Sequence, residues 1–204
     1  MSDTITKFTY QTFQKSKAGL ALAHKKISTY LQGFIAPNLR LKTKPLSAKV
    51  IQKIQQRMDE IIEKDLADGE KGIYPTNIIF DHPWSDFFSF YLNIWLELPQ
   101  IWERIQQKKY QYFSPQIKIQ GYPSYYLQNF HYQTDGYLSE MSANLYDLQV
   151  EILFNGTADV MRRRVLAPLK MGLEKLFSGQ NLDAIAPQKL RVLDIACGTG
   201  RTLK

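Results

Sequence analysis

The sequence is short of cysteine, of histidine, of acid in its first third and of any long apolar run. One cysteine, Cys197, in 204 residues excludes an intramolecular disulfide and fits a reducing compartment. The three histidines, His24, His82 and His131, share no metal-ligand spacing, so no metal site is expected. The longest apolar stretch, Phe87 to Leu98, is interrupted by Ser89, Asn93 and Glu97. It is shorter than the roughly 20 residues that span a bilayer, and no transmembrane helix is expected. Met1 to Gln14 lacks the charged, apolar and small-residue order of a secretory signal, which makes a cytoplasmic protein the expectation.

What is present is enough for a packed interior. Apolar residues make up 44% and aromatics 13% of the chain, far from the composition of a disordered tail. The net charge of +7 is unevenly placed: residues 1–60 hold 11 Lys/Arg against 3 Asp/Glu. The remainder is close to neutral, so the excess positive charge belongs to the N-terminal part. There is no internal repeat at solenoid or propeller periods.

Helical periodicity dominates as far as about residue 188. Phe13, Leu20, Ile27, Leu31 and Phe34 recur among Lys15, Lys17, His24, Lys25 and Lys26, which predicts a basic amphipathic helix. Ser47 is placed to cap a second helix reaching about Ala67, with Val50, Ile51, Ile54, Met58, Ile61, Ile62 and Leu66 on one face and Asp68-Gly69 as its stop. A third, aromatic helix from about Trp84 to Leu98 is apolar nearly all round, which predicts burial, and should break or kink at Pro99 before restarting to about Tyr110. Ser139 predicts a helix start with Asn155-Gly156 as its end. Thr157 is read as the cap of a helix over 158–177 that Pro168 kinks or splits.

At Lys189 the pattern changes. Leu190-Arg191-Val192-Leu193-Asp194-Ile195 is a continuous β-type run, followed at once by Ala196-Cys197-Gly198-Thr199-Gly200. A strand entering a Gly-x-Gly turn is the opening of a doubly wound α/β domain. Glycines admit close backbone approach and positive φ, and the unpaired amides of a following helix suit an anionic group. Residue chemistry alone thus indicates a ligand pocket without naming the ligand. A dinucleotide fingerprint would place Leu203 where a third small residue is needed, so that reading is the weaker one.

Val192 to Gly200 resembles the first motif of class I S-adenosylmethionine-dependent methyltransferases, an acidic residue followed by Gly-x-Gly-x-Gly. Ala196 stands for the first glycine, a variant familiar from the ubiquinone and menaquinone methyltransferase type (the type 11 group). The runs Gly121 to Phe154 and Gly156 to Lys170 are similar to a bacterial subgroup carrying a helical N-terminal extension. The resemblance implies S-adenosylmethionine as cofactor. Asp194 would hold its amino-acid end, and the backbone of Ala196, Cys197, Gly198, Thr199 and Gly200 would pack on it, with a small molecule as methyl acceptor. It also implies about seven strands, of which one at most precedes Lys204. The expected architecture is therefore mainly α: a helical substrate-side or cap domain over 1–188, then the first strand and glycine turn of a Rossmann-like methyltransferase domain over 189–204. Such a chain is expected to be catalytically silent alone and to be the N-terminal part of a longer or split enzyme, with a complementary C-terminal fragment as one partner.

Other candidates compete with plainer readings. Tyr122, Tyr125, Tyr126, Phe130, His131, Tyr132, Asp135 and Tyr137 could wall an acceptor site, with His131, Asp135 or Tyr132 moving a proton, or could simply pack a core. Arg162-Arg163-Arg164 could grip an acid, but consecutive helical positions diverge, which favours a solvated face with one or two ion pairs. Cys197 is read as a small packed turn residue in preference to a nucleophile. The basic helix admits a non-enzymatic alternative, peripheral contact with an anionic membrane through Phe13, Leu20, Ile27 and Phe34, or with a partner protein. No nucleic-acid motif accompanies the charge.

Overall fold

The computed structural model describes residues 4–39, 45–82, 84–129, 132–178, 180–185, 190–195 and 197–203. Among them the chain is mainly helical and forms no strand. The α-helices are α1 (Thr4–Ile35), α2 (Ala48–Glu70), α3 (Trp84–Gln106), α4 (Glu140–Leu153), α5 (Ala158–Arg163) and α6 (Leu166–Leu176). Short 3-10 turns lie at Pro37–Leu39, Thr76–Phe80, Leu182–Ala184 and Arg201–Leu203. Two compact units result: the first comprises Met1–Ala18, Leu46–Asp81 and Gly156–Lys204, and the second Gly19–Pro45 and His82–Asn155.

In the first unit α2 begins where its cap was expected. The Ser47 hydroxyl accepts from the Val50 amide at 3.4 Å, satisfying one of the orphan donors of the first turn. Its end differs by one glycine. Asp68 and Gly69 form the last turn, and Gly72, at φ +68°, reverses the chain. The Ile73 amide donates to Asp68 O at 2.9 Å and the Gly72 amide to Gly69 O at 3.0 Å, the two bonds of a Schellman ending that need a left-handed residue between them.

The apolar core of this unit gathers Tyr10, Leu66, Tyr74 and Ile79, with Phe13, Ile62 and Phe80 packed against them. Inside it sits a carboxylate, Asp65, with no solvent exposure. Arg163 of α5 grips it through two bonds, Nε to Oδ1 at 2.9 Å and Nη2 to Oδ2 at 2.8 Å. The Tyr74 hydroxyl donates to Oδ1 at 2.8 Å and the Tyr10 hydroxyl to Oδ2 at 2.5 Å. Four donors thus meet both oxygens, the condition under which a buried charge is tolerated. Gly156 brings the chain close to α1, because a Cβ there would lie 2.6 Å from Lys17 Cβ, and its φ of +81° is itself unfavourable to L side chains.

Pro168 splits the expected 158–177 helix. α5 ends at Arg163 and α6 opens at Leu166, which leaves Pro168 in the first turn, where a missing N–H costs nothing. Thr157 does precede α5, but its side chain makes no capping bond and lies instead against Met161 Sδ at 3.9 Å.

The second unit is built on α3 and α4 with the rest of α1. Ala21, Ile94, Leu145, Leu148 and Ile152 form its core, joined by Leu20, Phe90, Tyr91 and Leu98. α4 is capped by Ser139, whose hydroxyl accepts from Ser142 N at 3.1 Å, and is stopped by left-handed Asn155 at φ +52°. Of the break or kink expected at Pro99, the break does not occur: α3 continues through it to Gln106, and Pro99 is exposed. Nor is α3 buried all round: Phe88, Leu92 and Leu96, one i, i+4 row, are exposed opposite Ile94.

The expected strand over 190–195 is likewise absent, and Leu193 and Ile195 are each 82% exposed. A strand is stabilised by a neighbour's ladder and an opposing apolar layer, and no described segment supplies either. The segment after α6 contains the 3-10 turn Leu182–Ala184, while 186–189 lie outside the described residues.

The quartet around Asp65 makes a testable prediction about alkali. Burial, and then the Asp65 carboxylate, push the Tyr10 and Tyr74 phenols well above their usual range. In the unfolded chain these phenols ionise near pH 10. Their contribution to stability is therefore complete below about pH 10 and is lost as pH rises from there toward the folded values. An ultraviolet absorbance titration should show most of the 12 tyrosines ionising in a first phase. A late phase should coincide with unfolding and shrink in Tyr10→Phe and Tyr74→Phe; a single phase for all phenols would contradict the quartet.

Candidate functional site

The glycine turn exists without its strand. Gly200 N donates to Cys197 O at 3.0 Å, closing a tight turn in which Gly198 has φ +59° and Gly200 φ +76°. Both conformations favour glycine. A Cβ built at either position meets no atom within 4 Å, so the backbone there is open to an incoming group. Asp194 lies four residues upstream of Gly198, half-exposed and outside any helix. Cys197 is exposed, a free thiol, and so not the packed turn residue expected. Ala196 lies outside the described residues.

The residues that follow the turn form one wall of a cleft of about 290 Å³ in the first unit. Ile78, Asp81, Asp159, Arg162, Arg201 and Thr202 line it. Asp159, at the start of α5, is buried and joins two of these cations. It accepts from Arg162 Nη1 at 2.9 Å and from Arg201 Nε and Nη2 at 3.3 Å each. Burial raises the Asp159 pKa, but the hydrogen bonds and charge of Arg201, then Lys17 and Arg162, outweigh it and hold the carboxyl below its ordinary value. Asp159 is therefore ionised and committed to guanidinium groups. The cleft is chemically a place to hold a charged or hydrogen-bonding ligand, since its central carboxylate is a poor proton acceptor in that state.

The arginine run is not a solvated face. Each arginine meets its own carboxylate: Arg162 pairs with Asp159, Arg163 with buried Asp65, and Arg164 with Asp68 at 2.5 Å. The roughly 100° between consecutive helical residues sends the three side chains to different partners. Asp65 and Asp68, three apart on α2, stand on one face and receive two of them.

The described aromatics of the segment 122–137 lie at the surface of the second unit. Tyr122, Tyr125, Tyr126 and Tyr137 are exposed, and they line neither the cleft described above nor the larger one of their own unit. Tyr132 and Asp135 both adopt positive φ, +56° and +61°. Asp135 Oδ1 accepts from the Ser114 amide at 3.3 Å, which is a loop-fixing contact. Asn129 and Gln133, both buried, close this loop: Gln133 N donates to Asn129 Oδ1 at 3.0 Å, and Asn129 Nδ2 donates back to Gln133 O. Phe130 and His131 lie outside the described residues. Of the four apolar residues offered to a lipid surface, Phe13 and Leu20 pack against the two cores, and Ile27 and Phe34 are exposed.

Sequence reasoning missed Asp65, Asp159, Arg201 and His24. A signal for Asp65 was present, because it stands one turn after Ile61 and Ile62 on the apolar face of α2, where a carboxylate must find a buried partner. His24 sits on α1 with its ring 4.4 Å from Trp95 and its Nδ1 3.3 Å from the Tyr91 hydroxyl. Burial and the neighbouring Lys25 lower its pKa. No helix is long and apolar enough to cross a membrane among the described residues. No protein-family model, curated protein or solved structure matches the chain.

Replacing Arg201 tests the electrostatics of the first cleft. In Arg201→Met the largest influence holding the Asp159 carboxyl down is removed while its burial remains, so its pKa should rise. Asp159 now contributes stability that is present above the unfolded value of about 3.9 and is lost as pH falls through the folded one. Carboxyl NMR titration should show the upward move, and acid unfolding of the variant should begin at higher pH. An unchanged titration would show that Arg201 does not govern Asp159.

Proposed function

We propose that the segment 190–203 is the first cofactor-binding element of a class I S-adenosylmethionine-dependent methyltransferase, with the helices as its substrate-side or cap part. The reaction is methyl transfer to an oxygen, nitrogen or carbon nucleophile of a small molecule. The observation that carries this reading is the pair Gly198 and Gly200, left-handed and uncrowded, placed just after half-exposed Asp194. Any side chain at these glycines would fill the space into which a ligand must approach, so the turn fits the group that the motif implies.

In this reading Asp194 accepts hydrogen bonds from the ammonium end of the cofactor. The backbone of Cys197, Gly198, Thr199 and Gly200 lies against its methionine portion, and Ala196 falls in the same stretch. Bound S-adenosylmethionine supplies an electrophilic methyl on a sulfonium. The protein's task is then positional: to hold the nucleophile in line and keep water out. Neither demand is met by a turn alone. The run 190–195 is proposed to become a strand when the rest of a sheet pairs with it, which accounts for the apolar side chains now in solvent. A second reading, peripheral contact with an anionic membrane, rests on exposed Ile27 and Phe34 near Lys25 and Lys26 of α1.

The experiment is NMR of the labelled chain with S-adenosylhomocysteine at millimolar concentration. Weak amide shifts confined to the region of residues 194–203, lost in Gly200→Val, are expected. Unshifted turn amides, or shifts that survive Gly200→Val, would overturn the reading.

A further inference from the structure

We propose that the cleft of the second unit binds a small amphiphile made of an apolar body and a single carboxylate head, with Lys25 as the receiving cation. This site lies away from the glycine turn in sequence and does not depend on the methyltransferase reading.

The cleft measures about 510 Å³, within the range of roughly 300–1,000 Å³ usual for small-ligand sites. Residues of α1, α3 and α4 line it, and it opens to solvent. Ile94, Leu98 and Ile152 give it apolar walls, and Ile94 and Ile152 also belong to the unit's core. Surface of this kind favours a hydrocarbon or aromatic body, because covering it removes apolar area from water on both sides.

The polar end is defined by charge. Among the described lining residues Lys25 is cationic and none is a carboxylate. Its Nζ donates to Leu153 O at 2.8 Å and to Asn155 Oδ1 at 2.7 Å. Both acceptors are neutral, and an ammonium has a third N–H to offer. Those two bonds orient the group without neutralising it. A ligand carboxylate would add a charge-assisted hydrogen bond there, about twice as strong as a neutral one. Ser28 and Thr29, on the next turn of α1, also line the cleft, and the Thr29 hydroxyl donates to Lys25 O at 2.8 Å.

One charge selects one kind of head. His24, the other basic lining residue, has its pKa lowered by burial and by Lys25 itself, so it does not add a second cation at neutral pH. A dianionic phosphate would keep an unmatched charge against apolar walls, and an alcohol would leave Lys25 without a counterion. The carboxylate is the head that balances the site.

Calorimetric titration of the full chain with decanoate, decanol and decyl phosphate tests this. Decanoate should bind saturably at one site, with decanol weaker by about tenfold or more and decyl phosphate no tighter than decanoate. Lys25→Met should erase the acid-over-alcohol preference, Lys25→Arg should keep it, and Leu98→Gln should weaken both acid and alcohol. If Lys25→Met does not fold by circular dichroism, the comparison of acid with alcohol on the native chain decides. Equal affinity for decanoate and decanol, an unaltered preference in folded Lys25→Met, tighter binding of decyl phosphate, or no saturable decanoate binding would each overturn the proposal.

Discussion

A single buried carboxylate organises the first unit. Asp65 has no contact with water, and an ion so placed persists only if its lone pairs are met by donors that are themselves fixed. Tyr10, Tyr74 and Arg163 meet that demand from three separate stretches of the chain, α1, the segment after α2, and α5. The quartet therefore sets the register of these pieces more strictly than apolar contact alone, which tolerates sliding. Burial by itself would lower the Arg163 pKa, but the hydrogen bonds and charge of Asp65 raise it, so the guanidinium stays charged.

The constraint extends outward along α5. Fixing Arg163 fixes the rotation of that helix, which places Arg164 on Asp68 and leaves Arg162 beside Asp159. Asp159 in turn receives Arg201, the residue after Gly200. α5 thus carries separate ion pairs, one reaching into the buried core of the unit and another reaching Asp159, which also receives Arg201 after the glycine turn. Arg201 and Thr202, which follow the turn, line a cleft in which Asp159 is already paired with Arg162 and Arg201.

Helix type and several boundaries were legible in the sequence because they depend on local chemistry. Ser47 and Ser139 cap as their hydroxyls allow, and Asn155 stops α4 as a residue tolerant of positive φ can. Pro168 divides a helix as its missing N–H requires. What was illegible depends on partners far away in the chain. Whether Leu190 to Ile195 becomes a strand is decided by a neighbour, which its β-type composition cannot supply. Which of Gly69 and Gly72 ends α2 depends on where the Schellman bonds close. Pro99 does not break α3, and the same helix shows Phe88, Leu92 and Leu96 to solvent despite an all-round apolar pattern. The arginine run looked like a polar surface because the aspartates that receive Arg163 and Arg164 lie 98 and 96 residues earlier. Of the candidate site, the turn itself was legible and its surroundings were not, because Arg201 and Asp159 carry no motif.

The central claim, that the Asp65–Arg163 pair acts as one unit that fixes its surroundings, is tested most directly by a double-mutant cycle. Equilibrium urea unfolding would be measured for Asp65→Asn, Arg163→Met and the double variant. Each single change should cost about 3–5 kcal/mol by leaving a buried charge or donor set unmatched, and the double variant much less than the sum, a coupling of about 2 kcal/mol or more. Additive losses would contradict the account, because they would mean that the two side chains stabilise the unit independently.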